Sequence, residues 1–167
     1  MFTRCRKFVS TTLLASALAL SCAGIASAQN AVQTVPDSGI VRVKSAYSVA
    51  ETVTRLKADV ASKGIRFFEE IDQAKLASDA GVKLRPSTLL IFGNPPLGTL
   101  FIAANPLAGL DWPVRVLVLE DEKGDVWAAY TDFSYIAHRH AVSGADAEAF
   151  GKASGVIASI TSSVKAP

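Results

Sequence analysis

Cysteine is nearly absent: Cys5 and Cys22 are the only two in 167 residues. Methionine occurs only as Met1, and histidine only as His138 and His140. The position of the two cysteines gives their scarcity its meaning. Arg4, Arg6 and Lys7 form a positive n-region, and Leu13, Leu14, Ala17, Leu18 and Leu20 an apolar core. The small-x-small triplet Ala26-Ser27-Ala28 then precedes Gln29. This pattern predicts a secretory signal peptide over residues 1–28, with an apolar stretch too short to span a bilayer comfortably. Cleavage after Ala28 leaves a chain without cysteine or methionine. Disulfide staples, thiolate nucleophiles, iron–sulfur clusters and cysteine–zinc sites are thereby excluded. The expected location is the periplasm or the exterior, with no membrane span after signal removal. A lipoprotein cut at Cys22 is the alternative boundary, although Leu20 stands one position away from where such a signal needs it.

An excess of positive charge is also lacking. Removing Arg4, Arg6 and Lys7 from the 17 basic residues leaves 14 against 15 acidic ones. No basic stripe interleaved with aromatics remains, so nucleic acid is not an expected partner. The 139 residues after Ala28 suit one domain, which buries roughly two-thirds of its unfolded surface without staples.

Residues 29–38 are polar, contain Pro36 and read as a flexible tether. Beyond them, alternation over Ile40–Ala46 predicts a strand with one wet face. Ser48 and Glu51 make a capping-box pattern ahead of Val49, Val53, Leu56 and Val60 at helical spacing, and Gly64 ends that helix. A second strand over Ile65–Ile71 and a short helix over Asp72–Ala80 follow. The continuous apolar runs Thr88–Phe92 and Val114–Leu119 predict strands buried on both faces. Leu100–Ala104 reads as a short helix. The Glu120–Asp125 turn leads to a hairpin partner over Val126–Tyr130, with Gly124 at positive φ. Helices over Phe133–His140 and Ala145–Val164 complete the chain. The expected fold is α+β: one compact domain over residues 39–165, with about five strands in a mixed sheet packed by two long and one or two short helices.

Leu89-Leu90-Ile91-Phe92-Gly93-Asn94-Pro95, Gly98-Thr99, Pro106 through Pro113, and Val126-Trp127 with Tyr130 follow one another in an order that resembles the domain-of-unknown-function 302 family. The likeness covers about residues 40–162. It implies a small α+β domain of bacterial and archaeal type. Where the family reads Asp-Leu-Pro, this chain has Asp111-Trp112-Pro113. The resemblance brings no established reaction and no catalytic residue.

The loop Gly93, Asn94, Gly98, Thr99 leaves a strand and enters a helix. Free backbone N–H groups there can hold an anion, with Thr99 as a cap and the glycines allowing close approach. Asp111 and Trp112 offer a carboxylate beside a stacking surface, and Tyr130 a phenol. His138 and His140 diverge if helical, so neither a metal site nor any other cofactor is expected. Glu120, Asp121, Glu122 and Asp125 lack calcium-loop spacing. The leading expectation is an exported, non-enzymatic module holding a small or anionic ligand between the Gly93–Thr99 loop and Asp111–Trp112. One alternative is a small hydrolase or isomerase using Asp111 with His138 or Tyr130 as acid and base. The other is a homodimer formed through Trp112, Leu107 and Leu110.

Overall fold

Five strands and five α-helices arise from these periodicities in the computed structural model, which describes residues 38–143 and 145–166. They fall in the unit Gln33–Pro167. The segments expected to be a signal peptide and, up to residue 37, a tether lie outside the described residues. In chain order the elements are β1 (Ile40–Lys44), α1 (Val49–Ser62), β2 (Arg66–Asp72), α2 (Gln73–Asp79), β3 (Ser87–Gly93), α3 (Pro95–Ala104), a 3₁₀ turn (Pro106–Leu110), β4 (Val114–Glu120), β5 (Val126–Thr131), α4 (Phe133–Arg139) and α5 (Ala145–Ser162). The local signals act as expected at most ends. Ser48 accepts the Glu51 N–H at 3.3 Å, and Gly64 takes φ +65° just past the α1 cap. Helix α3 starts five residues earlier than its apolar pattern suggests, because Pro95 supplies the fixed φ suited to a first helical position.

The α+β class and the five strands match expectation; the strand directions do not. The order is β1-β5-β4-β3-β2, and every pairing is antiparallel rather than mixed. The physical reason lies in the connections. The chain leaves β3 and re-enters at β4 from the same end, Phe92 opposite Val114, while β4 and β5 form a hairpin. Only α1 carries the chain from one edge of the sheet to the other, so β1 and β2 point the same way without touching.

One face of the sheet carries the core. Leu90, Phe92, Val116, Val118 and Ala128 are buried beneath Leu56 and Val60 of α1, Phe101 of α3, Ile136 of α4, and Phe150, Ile157 and Ile160 of α5. Phe101 and Phe150 stack with centroids 3.8 Å apart. The runs expected to be buried on both faces are buried on one. Leu89, Ile91, Leu117 and Leu119 alternate with the core residues and remain partly exposed.

The hairpin tip is organised by Asp121. Its Oδ2 accepts the Trp127 indole N–H at 2.8 Å, and its Oδ1 accepts the backbone N–H groups of Lys123 and Asp125 at 2.9 and 3.0 Å. The Trp127 bond, then these amides and the Arg42 guanidinium, hold the Asp121 carboxyl below the usual aspartate range, with partial burial opposing them. A lowered folded-state pKa contributes stability that is complete above the unfolded value near about 4 and disappears as pH falls through the lowered one. Asp121→Asn is therefore expected to flatten the acid limb of a plot of urea midpoint against pH, while changing the neutral limb less.

Candidate functional site

The loop after β3 ends in a seat for an aromatic ring. Asn94 is the N-cap of α3, its carbonyl accepting from Gly98 N at 2.8 Å and its own side chain making no capping bond. Thr99 lies inside the helix rather than at its start. Its hydroxyl donates to the Pro95 carbonyl at 2.8 Å, so it does not cap. The Trp112 indole lies across Gly93 and Gly98. A Cβ on Gly98 would overlap indole Nε1, Cδ1 and Cε2, and one on Gly93 would stand 3.2 Å from the ring. Phe68 meets the same indole edge-on, with centroids 6.0 Å apart. The glycines thus serve the close approach of Trp112. The space expected for a ligand is filled by protein, leaving a void of about 40 Å³.

Asp111, the residue before Trp112, is brought to a different set of partners. It closes the 3₁₀ turn, immediately ahead of a cis Trp112–Pro113 bond. Its Oδ2 lies 2.6 Å from His140 Nε2, and its Oδ1 3.3 Å from an Arg139 guanidinium nitrogen. A carboxylate only accepts, so His140 Nε2 carries the proton and donates. The imidazole is nearly enclosed, its side chain 6 % exposed against 13 % for Asp111 and 52 % for Arg139. Asn105 ties the same corner together, donating to the His140 carbonyl at 2.9 Å and accepting from Leu107 N at 3.0 Å.

The acid–base pairing expected from sequence is corrected here. His140, not His138, meets Asp111, and His138 is exposed in the last turn of α4. Helical divergence of the two histidines does not apply, because α4 ends at Arg139 and His140 is its C-cap. A signal was present in the sequence: Phe133, Ile136, Ala137 and His140 fall at the three- and four-residue spacing of a buried stripe. Tyr130 is not at this corner either. It points to the helical face beside Thr161; burial pushes its phenol up, the Thr161 hydroxyl opposing and Asp132 adding to the shift.

Strand alternation instead turns Thr131 toward Asp111. Between the Leu110–Arg115 segment and α4 lies a cavity of about 400 Å³. Val114, Phe133 and Ile136 form its apolar wall, while Asp111, Arg115, Thr131 and Arg139 supply its polar groups. Arg115 donates to the Leu110 carbonyl, which holds its guanidinium at the rim. Two guanidiniums line the cavity against one carboxylate, which Arg139 already engages, so one positive charge is left in excess, a character suited to an anion. A more open cavity of about 900 Å³ lies between α1 and the start of β3, but its Lys57 and Glu70 satisfy each other at 2.6 Å. Among the described residues, no group of three or more His, Cys, Asp or Glu side chains is placed to hold a metal ion.

The family model for the domain of unknown function DUF302 matches residues 41–160. The chain belongs to the DUF302 family. A crystal structure of an uncharacterized conserved DUF302 protein from Bacillus stearothermophilus aligns with a TM-score of 0.69 at 16% identity, covering 76% of this chain and 98% of that one. At that identity the likeness shows the DUF302 fold alone. Two curated relatives carry the name fluoride-specific ion channel FluC 1. The one from Brucella suis biovar 1 (strain 1330) is 42% identical over 106 residues, covering 64% of this chain and 42% of that protein. The one from Brucella abortus biovar 1 (strain 9-941) has the same identity, with 39% of its length covered. This DUF302 chain thus spans about two-fifths of the length of these relatives. No helix of the described residues is long and apolar enough to cross a membrane.

Proposed function

We propose that this DUF302 protein is an exported module that binds a small anion in the cavity between β4, β5 and α4. The observation that carries this reading is that Arg115 and Arg139 line one cavity with Thr131 against a single carboxylate, Asp111, which Arg139 and His140 already engage, so one positive charge is left in excess. Export rests on the Arg4–Lys7 cluster, the apolar run and Ala26-Ser27-Ala28. Both Asp111 oxygens are occupied and His140 is enclosed, which supports binding over acid–base turnover. Relatives named as fluoride-specific ion channels make fluoride the natural first probe, with formate and phosphate as larger ones.

The test is a titration of ¹⁵N-labelled protein with sodium fluoride, formate and phosphate at constant ionic strength, following the Arg115 and Arg139 side-chain and Thr131 backbone resonances. Saturable shifts confined to these groups for at least one anion are expected. Arg115→Gln and Arg139→Gln should each weaken binding about tenfold or more, the loss of one charge-assisted bond. Linear shifts spread over the surface with all three anions, or unchanged affinity in both variants, would reject the site.

A further inference from the structure

The larger cavity, of about 900 Å³, lies at the hairpin end of the sheet, the opposite end from Arg115. Strand alternation decides what faces into it. Thr88 shares the helix-bearing face with Leu90 and Phe92, and Glu120 shares it with Val116 and Val118. Register sets Asp72 directly beside Thr88 on one side and Val118 on the other, with Glu120 two residues beyond Val118. The Thr88 Cβ therefore stands about 5 Å from that of Asp72 and, on the diagonal, about 7 Å from that of Glu120.

The charges of this cavity do not balance. Glu70, Asp72 and Glu120 line it against Lys57 alone, and Lys57 is taken by Glu70 at 2.6 Å. Asp72 spends Oδ1 on the Lys75 N–H at 2.9 Å as the N-cap of α2. Its Oδ2 and the Glu120 carboxylate have no partner among the described residues. Lys83 and Arg85 belong to an adjoining cavity, which they share with Glu120, Asp121 and Glu122. Thr88 adds an independent sign of a ligand. It is only 9 % exposed, and its hydroxyl makes no hydrogen bond to a described residue. No enclosed side-chain oxygen among the described residues lacks a partner, so the Thr88 hydroxyl keeps its small accessible area, which opens into the cavity it lines.

We propose that this cavity binds the ammonium group of a small primary amine, seated on the Thr88 hydroxyl between Asp72 and Glu120. A primary ammonium is a cation with three donors and no acceptor, which suits a hydroxyl oxygen flanked by two carboxylates. A metal ion fits less well, because no group of three or more His, Cys, Asp or Glu side chains among the described residues is placed to hold one. The carbon chain of the amine lies on Val49, Val53 and Leu84, the apolar part of the lining. The positive end of α1 also borders the cavity, through Ser48 and Val49, so an anion of the same shape belongs in the test.

The test is a titration of the ¹⁵N-labelled protein with n-butylammonium, butyrate and tetramethylammonium at constant ionic strength, following the backbone amides of Asp72, Thr88 and Glu120. Butylammonium should give shifts that saturate at about millimolar concentration. Butyrate should give none, and tetramethylammonium, charged but without N–H donors, only weak linear ones. Glu120→Gln should weaken butylammonium binding about tenfold and Thr88→Val about threefold, the losses of a charged and a neutral acceptor. Both changes conserve size, and circular-dichroism melts check the fold. Asp72→Asn, which keeps a capping side chain for α2, is the third variant. Absence of saturation with butylammonium overturns the proposal, as does unchanged affinity in both Glu120→Gln and Thr88→Val. An equal response to tetramethylammonium overturns it by reducing the effect to charge screening. Saturation by butyrate instead overturns it in favour of the helix end.

Discussion

Gly98→Ala is expected to lower the unfolding free energy by about 3 kcal/mol, a large loss for a single methyl group on a helix. On an open helical surface the same change would stabilise, by up to about 1 kcal/mol from helix propensity. The sign reverses because the new Cβ would occupy the position of the Trp112 pyrrole atoms. The backbone cannot easily yield, since Gly98 N is tied to the Asn94 carbonyl at 2.8 Å. The indole is confined in turn by Phe68 and Gly93. With Trp112→Ala already in place, Gly98→Ala should cost little or become favourable. Urea unfolding of the four proteins in this cycle should yield a coupling on the order of 3 kcal/mol. A near-zero coupling would mean that Trp112 does not rest in this seat.

The second large effect concerns Asp111. Asp111→Ala leaves the enclosed His140 Nε2–H without its acceptor and should cost about 3 kcal/mol, the usual penalty for removing one partner of a buried pair. Asp111→Asn keeps an acceptor oxygen and should cost about 1 kcal/mol. Replacing Arg139, half-exposed on the other oxygen, should cost less than about 1 kcal/mol in stability. Adding His140→Leu to Asp111→Ala should restore much of the loss, because the unsatisfied donor is then gone. Denaturation midpoints measure the series, and the His140 Nε2–H resonance reports whether the pair has formed. Equal stability of Asp111→Ala and Asp111→Asn would show that the hydrogen bond to His140 contributes nothing.

Most of the fold was legible because its signals are local. Ser48 before an apolar helical stripe, Gly64 and Gly124 at positive φ, and alternation along Ile40–Lys44 each involve residues within one or two turns of the chain. Strand direction was not legible, since it depends on which end of the sheet each connection returns to. The burial of β3 and β4 misled for a related reason. A continuous apolar run states that both faces avoid water, but not that the chain itself covers both. Leu89 and Leu117 carry that apolar character on the face turned away from the core, where both stay partly exposed.

The candidate site divides along the same line. Asp111 and Trp112 stood out as a carboxylate beside an indole, and Gly93 and Gly98 as positions of close approach. What approaches the glycines is Trp112 itself, and what meets Asp111 is His140, 29 positions away. Arg115 and Thr131 carried no motif at all. They enter the cavity because strand alternation and the packing of α4 turn them there.

The sequence by itself determined the element order, the α+β class, the family and the absence of cysteine chemistry beyond Cys22, because composition and short-range periodicity encode each of these. Only the tertiary structure decided the all-antiparallel sheet, the indole seat, the Asp111–His140 pair and the two-arginine cavity. Each of those depends on side chains far apart in the chain meeting in space, a distance that no local pattern records.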